Sequence, residues 1–137
     1  MLHIKLNHDC VRAILLTVED ASFEELTHGI ASETLQSYSR LKEFSKEEIL
    51  YNSILLINAE YLSGKNSMVD YAGNVMFELN GLTWSGHHFL DTVRDPKVWR
   101  ETKKVAGKFA SVSLTFTERI AASIITGLIK KETGLPL

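Results

Sequence analysis

The residue types best suited to chemistry are concentrated in residues 81–99, GLTWSGHHFLDTVRDPKVW, which hold two Trp and two adjacent His. His87 and Asp91 are four residues apart, so on a helix their side chains are neighbours and an imidazole and a carboxylate are together available to zinc. A catalytic zinc site needs three protein ligands, and the chain has neither HExxH nor paired CxxC. The spacing therefore favours a hydrogen-bonded His87–Asp91 pair. Together with Trp84 and His88, this pair forms the outward side of a predicted helix and a candidate contact patch.

Other catalytic arrangements are not indicated. Ser85 is not part of a G-x-S-x-G elbow, and Cys10 has His8 two residues away without an orienting third group. Neither a P-loop nor G-x-G-x-x-G occurs. We predict a non-enzymatic protein with no catalytic residue, no metal and no cofactor. Cys10 lies in an apolar periodic segment, which predicts a buried and unreactive thiol.

The bulk composition is that of one globular domain. The 137 residues are 45% hydrophobic and 23% charged, and one Cys suits a reducing compartment. The sequence MLHIKLNHDC does not resemble a signal peptide, and no apolar run approaches the length of a membrane span. We therefore expect a single domain over 1–137 in the cytoplasm.

Charge is distributed unevenly along the chain. Residues 1–60 hold 5 Lys and Arg against 10 Asp and Glu, whereas residues 61–137 hold 10 against 7. The two halves either complement each other within the fold or present an acidic and a basic face to different partners.

Helix caps divide the chain into elements. Asn7 or Asp9 can begin a first helix over residues 7–20. Ser45 and Glu48 form a capping box that begins a second helix, which we expect to reach Tyr61 and to be stopped by Gly64. Its wheel separates an apolar side from a polar side. The apolar side holds Ile49, Leu50, Ser53, Ile54, Leu56 and Ile57; the polar side holds Glu47, Glu48, Tyr51, Asn52, Leu55 and Asn58.

The β structure is predicted to be small. Residues 34–38 are a candidate short strand, and two β-prone runs, 67–71 and 75–79, flank the turn residues AGN. Helices followed by such a hairpin are typical of a winged-helix domain, in which the helix beginning at Ser45 occupies the recognition position. The predicted fold is α+β and mostly helical, with a winged-helix-like part over 1–81 and a C-terminal helical part over 82–137.

Three helices are expected in that C-terminal part. Thr83 caps the first, and Asp95 followed by Pro96 begins the second, predicted to end at Ala110. The third ends at Gly134 and has a broad apolar stripe, made of Leu114, Ile120, Ala121, Ile124, Ile125, Leu128 and Ile129. Such a stripe is either deeply buried or part of a subunit interface. We therefore predict a homo-oligomer formed through this helix.

The motif at residues 83–99 resembles that of the DUF2513 family, whose pattern Thr-Trp-x-Gly-His-x-Phe-Leu-Asp-x-x-Arg-Asp-x-x-x-Trp it matches. The resemblance extends to LNHDCVRAILL and FSKEEILYNSILLINAEYLSGK, and it covers about Lys5 to Lys131. It implies a small protein from phages or prophages of Gram-positive bacteria. It implies no catalytic activity.

Two sets of residues are candidates for binding DNA or another partner. On the Ser45 helix, Tyr51, Asn52 and Asn58 can reach bases or phosphates, although Glu47 and Glu48 oppose the approach of DNA. On the Pro96 helix, the basic residues Lys97, Arg100, Lys104 and Lys108 lie within one quarter of the wheel. Three roles are open for this stripe: it contacts a phosphate backbone, it is a solvated face, or it docks on an acidic surface of the chain or of a partner subunit.

The sequence leaves two functions open. The first is a phage regulatory protein that contacts DNA. The second is a protein-binding module that inhibits a host protein such as a defence nuclease, in the manner of an anti-CRISPR protein. For the second, Tyr51 and Leu55 provide an apolar centre with a charged rim.

Overall fold

A computed structural model describes residues 6–69 and 73–136 of the chain. It contains helices α1 (His8–Asp20), α2 (Phe23–His28), α3 (Lys46–Asn58), α4 (Trp84–Val93), α5 (Pro96–Ala106) and α6 (Leu114–Thr133), and strands β1 (Ile30–Ala31), β2 (Leu62–Val69) and β3 (Val75–Leu82). The chain divides into two compact units, the first ending at His87 and the second beginning at His88. The expected class, α+β and mostly helical, is confirmed.

Helix α1 begins and packs as its sequence predicts. The side chain of Asn7 accepts a hydrogen bond from the Cys10 N–H at 3.1 Å and so caps the first turn. The residues at helical spacing that were expected to face the core are all buried: Val11, Ile14, Leu15 and Val18.

Residues 20–44 differ from the prediction. Ser22 and Glu25 form a capping box that begins α2, and the strand is β1 at Ile30–Ala31. The expected strand at residues 34–38 is wrong, since Ser32–Ser37 is a 3-10 helix and Ser39–Leu41 is a second one. The Thr34 hydroxyl donates to the Ala31 carbonyl at 2.8 Å, and the Ser37 hydroxyl donates to the Thr34 carbonyl at 2.6 Å. These local bonds satisfy the backbone in a turn and compete with an extended strand.

Helix α3 has the predicted capping box of Ser45 and Glu48 but a different buried face. The buried residues are Ile49, Asn52, Ser53 and Leu56, which follow the spacing of one helical face. The expected outward position of Asn52 is therefore wrong, because this side chain is fully buried and hydrogen-bonded.

Helix α3 also ends earlier than expected, at Asn58. Glu60 adopts a φ of 63°, and the Tyr61 N–H donates to the Leu56 carbonyl at 2.9 Å, which is a Schellman ending without its usual glycine. Gly64 does not stop the helix but lies in β2, where a Cβ would press on the side chain of Ile57.

The sheet has three antiparallel strands in the order β1-β3-β2. The predicted hairpin is confirmed as β2 and β3, with Leu62 opposite Leu82 and Val69 opposite Val75. Residues 70–72, which belong to the predicted hairpin, lie outside the described residues. Strand β1 adds to the other side of β3, with Ile30 opposite Leu79. Alternate residues of β3 are buried, including Phe77 and Leu79, so one side of this strand packs into the core of the first unit.

In the second unit, helix α5 packs on α6. The side chain of Asp95 accepts from the N–H groups of Lys97 and Val98, and Pro96 is the first helical residue, as predicted. Helix α5 ends at Ala106, four residues earlier than expected. The buried residues of this unit include Phe89, Leu90, Val98, Trp99 and Ala121.

Helix α6 is mostly exposed. Ser113 caps its start, and Gly134 ends it, as predicted, in the left-handed conformation; the Ser113 cap was not predicted. Only Thr117 and Ala121 are buried along it, whereas Leu128 and Ile129 are exposed. Deep burial of the whole apolar stripe is therefore excluded, and the subunit interface stays a prediction. No helix in the described part of the chain is long and apolar enough to cross a membrane.

The burial of Asn52 generates the first prediction. Asn52→Ala removes the acceptor of the Asn7 N–H and the donor to the Glu48 carbonyl, so we expect it to lower the free energy of unfolding by about 1–3 kcal/mol. Asn58→Ala, on the exposed end of the same helix, is the matched control and should change stability by less than about 0.5 kcal/mol. Urea unfolding measures both, and equal effects would contradict the assigned role of Asn52.

Candidate functional site

One carboxylate joins the starts of two helices in the first unit. Glu48 Oε2 accepts from the Asn7 side-chain amide at 2.9 Å, while Glu48 Oε1 accepts from the Ser45 N–H at 3.3 Å. The Asn7 amide and the Ser45 backbone hold the pKa of Glu48 below its ordinary value. Asn52 completes the cluster by accepting from the Asn7 N–H at 3.1 Å. These polar side chains bond to one another, so the cluster holds α1 against α3.

Cys10 lies beside this cluster and is fully buried. Burial, followed by the nearby Glu48 charge, raises the pKa of its thiol to about 12, against a weaker opposing hydrogen bond from Asn52. Burial also lowers the pKa of His8. A thiol with so little thiolate at neutral pH is a poor nucleophile, which agrees with the predicted inert Cys10.

The outward side of α3 mixes apolar and polar residues. Tyr51 is exposed, Leu55 is half-buried, and Asn58 is exposed at the helix end. Leu50 is also half-buried, and it lines an open pocket of about 230 Å³ with Met76 of β3. Of the three residues predicted to contact bases, Tyr51 and Asn58 are accessible, whereas Asn52 is buried and cannot contact a ligand.

The predicted contact patch lies on the exposed side of α4. Trp84 is 89% exposed, and His87, His88 and Asp91 are exposed as well. The expected His87–Asp91 pair is wrong, because Asp91 accepts from Arg94 at 2.7 Å and the His87 side chain forms no hydrogen bond or ion pair with a described residue. A guanidinium makes a strong, charge-assisted bond to a carboxylate.

Within the second unit, His88 Nε2 lies 3.5 Å from Glu118 Oε1. Residues 6–69 and 73–136 contain no group of three His, Cys, Asp or Glu side chains that could hold a metal ion.

The start of α4 explains two further motif residues. The Thr83 hydroxyl accepts from the Gly86 N–H at 3.0 Å, which caps the helix as predicted, and it donates to the Glu60 carbonyl. A Cβ on Gly86 would collide with the carbonyl oxygen of Tyr61. Gly86 is therefore required where α4 passes close to the backbone that precedes β2.

The basic stripe lies on α5 and just beyond it. Lys97, Arg100, Lys104 and Lys108 are all exposed, and none of them forms an ion pair with another described residue. Lys108 follows the last residue of α5, but its N–H still donates to the Val105 carbonyl at 3.1 Å, so the turn continues.

An aromatic pocket follows the basic stripe and was missed from the sequence. Phe109 is 60% exposed and Phe116 is 54% exposed, and both line an open pocket of about 270 Å³. Ser111, Val112 and Ser113 complete the lining. The sequence signal for this pocket is the stretch FASVSLTF at residues 109–116, in which two Phe residues flank a short segment that contains the cap of α6.

The two units carry charges of opposite sign. The first contains six Lys and Arg against twelve Asp and Glu, which is a formal net charge of −6. The second contains nine against five, which is +4, and the two charges give the −2 of the whole chain. The uneven charge along the sequence therefore corresponds to the two units: the first is acidic and the second is basic.

The chain belongs to DUF2513, a family described as a hypothetical protein, whose model matches residues 5–113. The match ends immediately before α6, short of the Lys131 expected from the motif. An uncharacterized protein of Haemophilus influenzae is 29% identical over 129 residues, which is 92% of this chain and 99% of the relative. No solved structure matches the chain.

The second prediction tests the close approach at α4. Gly86→Ala should lower the free energy of unfolding by about 2 kcal/mol or more, because its methyl group has to displace backbone rather than a flexible side chain. Gly127→Ala is the matched control: a Cβ there would meet no atom within 4 Å apart from its own helix backbone and chain neighbours, and alanine should stabilise that helical position by up to about 1 kcal/mol. Thermal or urea unfolding distinguishes the two, and an unchanged stability of Gly86→Ala would contradict the close approach of α4 to the Tyr61 backbone.

Proposed function

We propose that this chain is a non-enzymatic phage or prophage regulatory protein of the cytoplasm that contacts DNA. The basic stripe supports the DNA contact, since three exposed cations on one side of α5 and Lys108 just beyond it have no described ion-pair partner. Cations that are not neutralised within the protein are available to phosphates, and a Lys- and Arg-rich stripe along a helix is typical of a nucleic-acid interface.

The surrounding charges support the same surface. Helix α5 has one acidic residue, Glu101, and belongs to the unit with a net charge of +4. Four phosphate contacts correspond to a slope of about −3.6 in log binding constant against log salt for duplex DNA. Backbone contacts of this kind position a protein on DNA but do not read its sequence.

A winged-helix-like arrangement of the first unit belongs to this proposal. Helix α3 precedes the β2–β3 hairpin, and β1 pairs with the outer side of β3, so a three-stranded sheet extends the hairpin. However, Asn52 is buried and Glu47 is exposed on α3, so this helix presents few groups suited to reading bases. We therefore assign the DNA contact to α5 in place of α3.

The alternative function is a protein-binding module that inhibits a host protein. It is favoured by the outward side of α3, where Tyr51 is exposed and Leu50 and Leu55 are half-buried beside the pocket with Met76. An aromatic and aliphatic centre of this kind suits a protein partner better than phosphates. Under this alternative, substitutions on α3 abolish function and those on α5 do not.

Self-association through α6 is compatible with both functions. The exposed Leu128 and Ile129, with the half-buried Ile124 and Ile125, form an apolar stripe on α6 that is partly accessible to a second copy.

The third prediction concerns salt-dependent DNA binding. The triple variant Lys97→Glu, Arg100→Glu, Lys104→Glu should weaken binding to a duplex at least tenfold at about 50 mM salt and flatten its salt dependence. Fluorescence anisotropy, with a duplex titrated at several salt concentrations, measures both quantities.

The matched control for this experiment carries the same change in net charge elsewhere on the surface. Lys42→Glu, Lys130→Glu and Lys131→Glu together replace three exposed lysines outside the stripe. This control should keep most of the affinity and the steep salt slope. Absence of binding by the wild-type protein to both duplex and single-stranded DNA at low salt, or equal loss in both triple variants, would contradict DNA contact through α5.

A further inference from the structure

We propose that the aromatic pocket formed by Phe109 and Phe116 binds an unpaired nucleobase, and that the chain's nucleic-acid ligand is therefore single-stranded. This inference rests on the proposed nucleic-acid contact and specifies which form of nucleic acid is bound. The pocket and the basic stripe both belong to the second unit.

The two aromatic side chains of the pocket are largely exposed to water. Phe109 and Phe116 have 60% and 54% of their surface in water, although each is large enough to contribute substantially to a core. They line the same open pocket, so a flat ring entering it meets apolar aromatic surface contributed by both residues. A nucleobase has such a ring, and stacking on aromatic side chains is the usual way in which proteins hold bases of a single strand.

The polar lining suits a base more than an aliphatic side chain. Ser113 is occupied, since its hydroxyl accepts from the Phe116 N–H at 3.1 Å and caps α6. Ser111 is exposed, and its hydroxyl forms no hydrogen bond with another described residue. This hydroxyl is therefore available to the donors and acceptors on the edge of a stacked base.

The positive charge of residues 97–116 favours a ligand with a phosphate backbone. Residues 97–116 contain five Lys and Arg, at positions 97, 100, 103, 104 and 108, against one acidic residue, Glu101. Lys108 directly precedes Phe109, so a cation adjoins the aromatic pocket in the chain. The first turn of α6 has no acidic residue. A cationic path that leads to an aromatic platform is the combination found in proteins that bind single strands without sequence preference.

A duplex satisfies only part of this arrangement. Its phosphates can contact Lys97, Arg100 and Lys104, but its bases are stacked and paired, so they cannot enter the pocket without being unpaired. A single strand uses the stripe and the pocket together. The wild-type protein should therefore bind a short oligothymidine strand more tightly than a duplex of the same length.

The experiment is fluorescence anisotropy of the full chain with three labelled ligands: an oligothymidine strand, a duplex of the same length, and an abasic strand of the same length. Phe109→Ala with Phe116→Ala should weaken binding of the oligothymidine strand roughly tenfold or more. The same variant should leave the duplex, the abasic strand and the salt slope unchanged. Phe109→Tyr with Phe116→Tyr should retain binding of the strand, because a phenol ring also stacks.

Phe23→Ala is the matched control, since Phe23 is 86% exposed in the other unit and lies outside this pocket. It should bind all three ligands as the wild type does. Circular dichroism of each variant shows whether its helices are intact, and the tyrosine variant provides the readout if the alanine variant unfolds.

Three outcomes would overturn the inference. If strand and duplex bind equally and the alanine variant matches the wild type, the pocket does not stack bases, while DNA contact through α5 still stands. If the wild type binds neither ligand at low salt, the proposed function and this inference both fail. The third outcome comes from a separate sedimentation assay with anionic lipid vesicles. If the alanine variant loses binding to these vesicles but not to the strand, the pocket serves a membrane surface.

Discussion

The bridge made by the Glu48 carboxylate is the interaction on which the first unit depends. It closes the capping box of α3 through Ser45 and binds the Asn7 amide that caps α1, so one ionised group fixes the starts of both helices. The same cluster takes Asn52 into the interior, while Tyr51 stays exposed and Leu55 half-buried. An unpaired polar group is costly to bury, so the buried side-chain amide of Asn52 has to keep both of its partners. One partner is at the start of α1 and the other is in α3, which fixes the two helices relative to each other.

This constraint determines which surfaces are left for a partner. A helix that commits Asn52 and Glu48 to its own unit presents a mixed side with an acidic start, which is unfavourable for phosphates. The basic groups are found instead in the second unit, whose formal charge of +4 contrasts with −6 in the first. Such a separation orients a polyanion toward one part of the molecule and away from the other, and the effect weakens as salt screens the charges.

Local chemistry was predictable from the sequence, whereas tertiary contacts were not. The caps at Asn7, Ser45, Thr83 and Asp95 depend on residues a few positions apart, and the start of each helix at these positions matches its sequence. The orientation of Asn52 depends on Asn7, 45 positions away, and a helical wheel contains no information about that partner. The end of α3 was misjudged because Glu60, a residue that seldom adopts positive φ, occupies the position usually held by glycine. The exposed Phe109 and Phe116 were missed because hydrophobic patterning assigns aromatic residues to a core by default.

The central claim is that nucleic acid meets the second unit along α5 and the aromatic pocket, and amide chemical shifts test it most directly. An isotope-labelled sample of the full chain, titrated with an oligothymidine strand at low salt, reports every perturbed backbone position at once. The account predicts that the largest shifts lie within residues 97–116 and that α3 is nearly unaffected. Shifts concentrated in α3, or none anywhere at saturating strand, would contradict it.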